Sequence, residues 1–166
     1  MTTSDELTGP AERVAEAIAR AATREGRTVA LAESLTGGKI SCHLGAASDS
    51  SDWFRGCLVA YSSAVKRAVL GVPEGPVVSA AAAAAMAAGV AELLGADTAV
   101  AVTGVGGPDS QDGEPPGTVW FGISTPDGVS TELRRWDGEP EDVLEQTTLH
   151  ALTLLERALA VRAAPG

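Results

Sequence analysis

Two short segments rich in small residues have the composition of a pocket that binds an anion or an oxyanion. The first reads "AESLTGG" (32–38) and the second reads "TGVGGP" (103–108). Glycines allow backbone N–H groups to approach an anion closely, and a helix N-terminus adds partial positive charge. Neither segment has the glycine and lysine spacing of the known nucleotide-binding fingerprints. We therefore expect one pocket to which both segments contribute.

Ser34 is the candidate nucleophile in the first segment. A serine that precedes a helix is often an N-cap, whose hydroxyl accepts a hydrogen bond from a free backbone amide. The alternative is a nucleophilic hydroxyl, with amides of the following turn as oxyanion donors. A Ser-His-Asp triad is not supported, because His43 and His150 fall inside helical segments with no evident carboxylate partner.

Lys66 is the candidate base. The chain has ten arginines and only two lysines, Lys39 and Lys66. Desolvation and neighbouring positive charge lower the pKa of a lysine, so that it can accept a proton. Lys66 follows a strand that ends at Tyr61, which places the two side chains near the same edge of a sheet. The alternative is a lysine on a solvated helix surface.

A metal site is not predicted. Cys42 and His43 are adjacent and therefore point to different sides of a helix, and no second pair has zinc spacing. The acidic residues of the segment 109–116 lack the ordered spacing of a calcium loop. We expect neither a metal nor a cofactor.

The elements that must position these residues alternate between helix and strand. Periodicity and turn residues predict helices over 12–25, 39–44, 64–70, 80–94 and 141–162, and strands over 28–31, 53–61, 98–102, 118–124 and 129–136. Gly26, Gly71 and Gly95 are predicted to end helices, and Ser79 is predicted to cap one. The pattern indicates one α/β domain of three layers, with a mixed sheet of about five strands packed between helices. We expect this domain to cover residues 11–162, after a disordered lead over residues 1–10.

The bulk composition is that of an acidic, globular chain. It has 166 residues, 45% of them hydrophobic, and a formal net charge of −10. The hydrophobic content excludes a disordered chain, and the acidic balance argues against nucleic acid as a partner. No segment suits a membrane span, the N-terminus is too polar for a signal peptide, and the two cysteines suit a reducing compartment. We expect a cytoplasmic protein with no membrane partner.

Five segments together resemble the CinA C-terminal domain family in their order and spacing. They read "LAESLTGG" (31–38), "FRGCLVAYSSAVKRAVLGV" (54–72), "VS" (78–79), "AVAVTGVGGP" (99–108) and "PPGTVWFGI" (115–123). Several members of that family are nicotinamide-nucleotide amidohydrolases, which hydrolyse the carboxamide of nicotinamide mononucleotide in pyridine-nucleotide recycling. In CinA itself the domain follows a molybdopterin-binding-like domain, so the resemblance implies a stand-alone member here.

The resemblance also implies roles for the matching residues. Ser34 is the implied nucleophile, and Lys66 with Tyr61 accepts its proton and relays it to the departing ammonia. Thr36, Gly37 and Gly38 are implied to offer a hydroxyl and amides to the oxyanion or phosphate. The pocket is further implied to be lined by Thr103, Gly104, Gly106 and Gly107.

The chain departs from the family pattern at several positions. Ser63 stands where many members have asparagine, and Gly106 stands where many have alanine. The arginines usual before the last helix are replaced by Pro140 and Leu144. Arginines there would be natural partners for a substrate phosphate. Their nearest substitutes are Arg134 and Arg135, which should face opposite ways on a strand.

The candidate residues and the family resemblance together predict an enzyme of Ser-Lys type that acts on nicotinamide mononucleotide or a close relative. The alternative is a CinA-like binding or interaction domain with weak or no catalysis, which the missing arginines and the acidic charge favour. We also expect a homo-oligomer with the pocket near a subunit interface, because the alanine-rich helix 80–94 would allow close helix packing. Alanine also simply favours helix, which is the simpler explanation of that composition.

Overall fold

Six helices and five strands lie along residues 8–161, the part of the chain that the computed structural model describes. The helices are α1 (Pro10–Glu25), α2 (Lys39–Ala46), α3 (Ser50–Trp53), α4 (Ser63–Leu70), α5 (Ala80–Leu94) and α6 (Pro140–Ala160). The strands are β1 (Val29–Glu33), β2 (Phe54–Val59), β3 (Thr98–Gly104), β4 (Thr118–Thr125) and β5 (Gly128–Arg135). None of the helices in this range is long and apolar enough to cross a membrane.

The five strands form one mixed sheet in the order β2-β1-β3-β4-β5. β1 pairs in parallel with both β2 and β3, whereas β4 is antiparallel to β3 and β5. β4 and β5, the strands predicted over 118–124 and 129–136, form a hairpin with Thr125 opposite Gly128 at its turn. The predicted single α/β domain with a mixed sheet of five strands is confirmed.

Alternating side chains in the central strands divide the interior into two cores. In β1 and β3 the valine and leucine side chains pack with α1, α2 and α6, while the intervening alanines pack with α4 and α5. This is the two-residue period of a strand that is covered on both faces. Helices therefore lie on both sides of the sheet, as the predicted three layers require.

The alanines of α5 allow that helix to lie very close to the sheet. A Cβ added to Gly122 of β4 would lie 2.1 Å from the carbonyl oxygen of Ala83 in α5. Ala82, Ala83 and Met86 are fully buried against the sheet. The small residues of α5 and β4 therefore serve packing within the chain. The predicted homo-oligomer, which was based on the alanines of this helix, stays a prediction.

The elements differ from their predicted bounds mainly at the ends. α1 begins at Pro10 rather than at residue 12, because proline is favoured in the first turn of a helix. Trp53, predicted to open β2, instead ends α3, where its buried ring donates Nε1–H to the Ser48 carbonyl at 3.0 Å. Pro10 is therefore not part of the predicted disordered lead, and residues 1–7 and 162 lie outside the described range.

Candidate active site

The carboxyl ends of the three parallel strands border a cavity of about 430 Å³. Ser34 enters it just after β1, Tyr61 lies beyond the end of β2, and Gly104 closes β3. Lys66 reaches the cavity from α4, and the loop 105–111 forms much of the remaining wall. This is the edge of an α/β sheet at which ligands generally bind. The structure thus brings together six of the predicted site residues, namely Ser34, Tyr61, Lys66, Gly104, Gly106 and Gly107.

Ser34 and Lys66 are both buried at this cavity, with 6% and 3% of their surfaces exposed. Burial lowers the pKa of Lys66 from its ordinary value of 10.5, because the ammonium form loses its solvation. The negative charge of Asp112 opposes this effect and raises the pKa in part. A lysine with a lowered pKa has more of the neutral amine that can accept a proton. Tyr61, in contrast, lies at the rim and is 73% exposed.

Glu33 is a completely buried carboxylate directly before Ser34. Its Oε1 accepts hydrogen bonds from the amides of Gly38 and Ile40, both at 3.1 Å, and its Oε2 accepts one from Ser41 N–H at 2.9 Å. A carboxylate at a helix N-terminus satisfies free amides and interacts favourably with the helix dipole. Glu33 therefore joins the end of β1 to the start of α2 on either side of Ser34. The sequence reasoning missed it, although an acidic residue that ends an apolar strand was a visible signal.

The glycine amides of the first segment make hydrogen bonds within the chain. The Gly37 amide donates to the Ser34 carbonyl at 3.0 Å, and the Gly38 amide donates to Glu33. Thr36 is buried, and its hydroxyl has no hydrogen-bond partner among the described residues. None of the three residues lines the cavity. Both glycine amides thus hold the turn instead of pointing at a substrate.

Thr103 does not line the cavity either, but it supports the structure next to it. Its buried hydroxyl donates to the Val77 carbonyl at 2.7 Å. On the other side, Asp112 Oδ2 accepts from the amides of Val77 at 2.9 Å and Val78 at 3.1 Å. The Val77 backbone therefore ties β3 to the loop that contains Asp112. Sequence reasoning had weighed Asp112 only as a metal ligand.

The two arginines proposed as substitutes are not at the cavity. Arg134 pairs with Glu132, with 2.6 Å between Nε and Oε1, and Arg135 lies 3.9 Å from the Glu114 carboxylate. The cavity is lined instead by Pro140 and Leu144 of α6. The two positions at which the family's usual arginines are missing are thus part of the cavity wall.

Both histidines have carboxylate neighbours, so the expectation that they lack them is wrong. His150 Nε2 lies 2.8 Å from Glu132 Oε1, and His43 Nδ1 lies 3.6 Å from Glu12 Oε1. These carboxylates belong to β5 and α1, and only the folded chain brings them close. Neither histidine lines the cavity with Ser34, so no triad forms there. Within residues 8–161, no group of three or more acidic, histidine or cysteine side chains is placed to hold a metal ion.

Comparison with known proteins places this arrangement in a family. The family model of the CinA C-terminal domain matches residues 11–159. The chain belongs to the CinA C-terminal domain family. This CinA domain is 42% identical over 138 residues to a CinA-like protein of Frankia casuarinae, which covers 80% of the chain and 32% of that protein. It is 43% identical over 141 residues to a CinA-like protein of Mycolicibacterium vanbaalenii, which covers 81% of the chain and 33% of that protein. The chain therefore spans about a third of the length of these curated relatives.

Solved structures show the same fold. A CinA superfamily protein from Escherichia coli matches with a TM-score of 0.85 and 32% identity, covering 95% of this chain and 94% of that chain. The competence damage-inducible protein A from Klebsiella pneumoniae matches with a TM-score of 0.87 and 33% identity, and the match covers 92% of this chain and 99% of that chain. The predicted family and the predicted α/β architecture are confirmed.

Proposed function

We propose that this CinA domain is a Ser-Lys amidohydrolase that hydrolyses the carboxamide of nicotinamide mononucleotide or of a close relative. The observation that supports it best is that Ser34 and the buried Lys66 line one cavity at the ends of the parallel strands. A serine hydroxyl becomes an effective nucleophile beside a base, and a lysine of lowered pKa is such a base. The family resemblance supplies the identity of the amide.

The proposed reaction proceeds in two halves through an acyl-enzyme. Ser34 Oγ attacks the carboxamide carbon while the neutral Nζ of Lys66 accepts the hydroxyl proton. The carbon–nitrogen bond then breaks, and Lys66 returns the proton to the departing ammonia, with Tyr61 at the rim as a relay. A water molecule attacks the acyl ester while Lys66 accepts its proton. The ester carbon–oxygen bond then breaks, Lys66 returns the proton to Ser34 Oγ, and the acid is released. One water is consumed for each amide hydrolysed.

The test measures ammonia and acid formed from nicotinamide mononucleotide and its nucleoside, nicotinamide riboside. We expect Ser34→Ala and Lys66→Met each to lower kcat by at least about 1,000-fold, because the two groups act as a unit. Ser110→Ala removes another serine hydroxyl from the same cavity and should remain at least about 100-fold more active than Ser34→Ala. Lys39→Met removes the other lysine, which is exposed and outside the cavity, and is the matched control for Lys66. Full activity in Ser34→Ala, or an inactive wild type on every pyridine carboxamide tried, contradicts the proposal.

A binding domain without efficient catalysis is the second candidate. It is favoured by the apolar Pro140 and Leu144 in the cavity wall and by the net charge of −10. Thermal shifts with pyridine nucleotides distinguish the two, since a ligand that prefers the native state stabilises it. Stabilisation with no turnover by the wild type would support the binding domain.

A further inference from the structure

The first turns of α6 present an apolar surface to the cavity. Pro140 and Leu144 are four residues apart, which places them on one face of the helix, and both line the cavity. Proline has no backbone N–H, and the leucine side chain has no polar atom. This wall therefore offers a phosphate group no hydrogen-bond donor from either side chain or from the Pro140 backbone.

The N-terminus of α6 is already occupied by carboxylates of the chain. Glu139 is the N-cap, and its side chain accepts from the amide of Asp142, while the Asp142 carboxylate accepts from Glu139 N–H at 2.8 Å. Glu141 adds a third acidic residue to the same turn. A helix N-terminus ordinarily attracts anions through its free amides and its dipole. Here the amides of Glu139 and Asp142 are engaged, and the carboxylates make the turn repulsive to an incoming phosphate.

The other charges around the cavity do not restore a phosphate site. Among the described residues that line it, Lys66 is the cationic side chain and Asp109 the anionic one. Lys66 is assigned to proton transfer and is buried, with Asp112 as its acidic neighbour. Arg134 and Arg135 have their own acidic partners outside the cavity. The charged side chains at the cavity and at its rim therefore favour a neutral or positively charged ligand.

We propose that the substrate is a pyridinium carboxamide without a phosphate, of the class of nicotinamide riboside, and that Leu144 sets this specificity. The proposal rests on the amidohydrolase function proposed above and selects among its substrates. The nucleoside keeps the reactive carboxamide and the positive pyridinium ring, whereas the nucleotide adds about two negative charges at neutral pH. Like charges placed against each other across a binding site strongly disfavour a ligand, so the acidic turn of α6 and Asp109 reject the nucleotide.

The deciding measurement compares kcat/KM for nicotinamide riboside and nicotinamide mononucleotide with the wild-type protein. We expect at least about tenfold preference for the riboside, which lessens as salt is added because salt screens the repulsion. Equal or better use of the mononucleotide overturns this inference and leaves the amidohydrolase proposal standing. Hydrolysis of neither compound, nor of any other pyridine carboxamide, overturns both.

Substitution of Leu144 tests the structural reason. Leu144→Arg places a cation on the cavity wall and should raise the ratio of mononucleotide to riboside hydrolysis by at least about tenfold. Leu144→Gln adds a long polar side chain without charge and should leave the riboside preferred. Circular dichroism checks that both variants fold, and calorimetric titration of Ser34→Ala with each compound measures the preference without turnover. An unchanged ratio in a folded Leu144→Arg, or tighter binding of the mononucleotide by Ser34→Ala, overturns the assignment.

Discussion

Replacing Glu33 by glutamine should weaken the whole domain and not only its active site. The glutamine oxygen can take the place of Oε1, which accepts from the amides of Gly38 and Ile40. Its NH₂ group then takes the place of Oε2 and meets the N–H of Ser41, so two donors face each other. Glu33 is completely buried, and solvent does not relieve this mismatch.

The size of the effect follows from the hydrogen bonds that are lost. A hydrogen bond to a charged group contributes about 1.5–3 kcal/mol, and a buried donor left without a partner costs about 1–3 kcal/mol. We therefore expect Glu33→Gln to lower the free energy of unfolding by about 3–5 kcal/mol. That is a large part of the roughly 5–15 kcal/mol that stabilises a domain of this kind. Because Ser34 follows Glu33 directly, kcat should fall as well.

Urea unfolding followed by circular dichroism measures this loss. Glu16→Gln is the matched control, because Glu16 also accepts from a backbone amide and a side chain, those of Ser48 at 3.0 and 2.8 Å, but at an exposed site. We expect the control to lose less than about 1 kcal/mol. If Glu33→Gln were no less stable than Glu16→Gln, the inference that Glu33 is the main support of the α2 N-terminus would be refuted.

Three further outcomes are expected. Asp112→Asn removes the negative charge that raises the pKa of Lys66, so the limb of the kcat/KM profile that rises with pH should move to lower pH. If the rising limb of the Asp112→Asn profile stays at the wild-type pH, Lys66 is not the base. Gly122→Ala forces a Cβ to 2.1 Å from a carbonyl oxygen of α5 and should cost about 1–3 kcal/mol in thermal unfolding, while Gly106→Ala, whose Cβ meets nothing within 4 Å, should cost under about 1 kcal/mol. Burial and the neighbouring Glu33 raise the pKa of Cys57 to about 12. A thiol reagent at pH 8 should therefore label one thiol per chain, that of the exposed Cys42. Rapid labelling of both thiols in the folded protein would contradict the half-buried position and raised pKa of Cys57.

Local patterns made most of the fold predictable. Gly26, Gly71 and Gly95 end their helices in the left-handed conformation, as the sequence predicts. Ser79 caps α5 by accepting from Ala82 N–H at 3.1 Å. These signals act within a few residues of the position they control. The same locality explains why β4 and β5, which a short turn joins, were predictable from alternating runs and turn residues.

Contacts between distant segments account for what the sequence reasoning missed. The amides that donate to Asp112 lie 35 and 34 residues away, and the carbonyl that accepts from Thr103 lies 26 residues away. The carboxylate beside His150 of α6 belongs to Glu132 of β5. No periodicity links such positions, so these contacts could not be predicted from the sequence. Glu33 differs, because the backbone amides that donate to its carboxylate are only five to eight residues ahead, and a carboxylate at that spacing before a helix start was open to prediction.

The two duties of Asp112 make loop position and proton binding thermodynamically linked. Its carboxylate holds the loop to Val77 and Val78, and its charge favours the protonated form of Lys66. When the loop departs, that charge departs with it, and Lys66 binds its proton less tightly. Reciprocity then requires that a protonated Lys66 stabilise the docked loop, while the neutral amine stabilises it less. Within the proposed reaction, Lys66 would therefore stabilise the docked loop while it holds the proton taken from Ser34. This stabilisation would weaken once the proton leaves with ammonia.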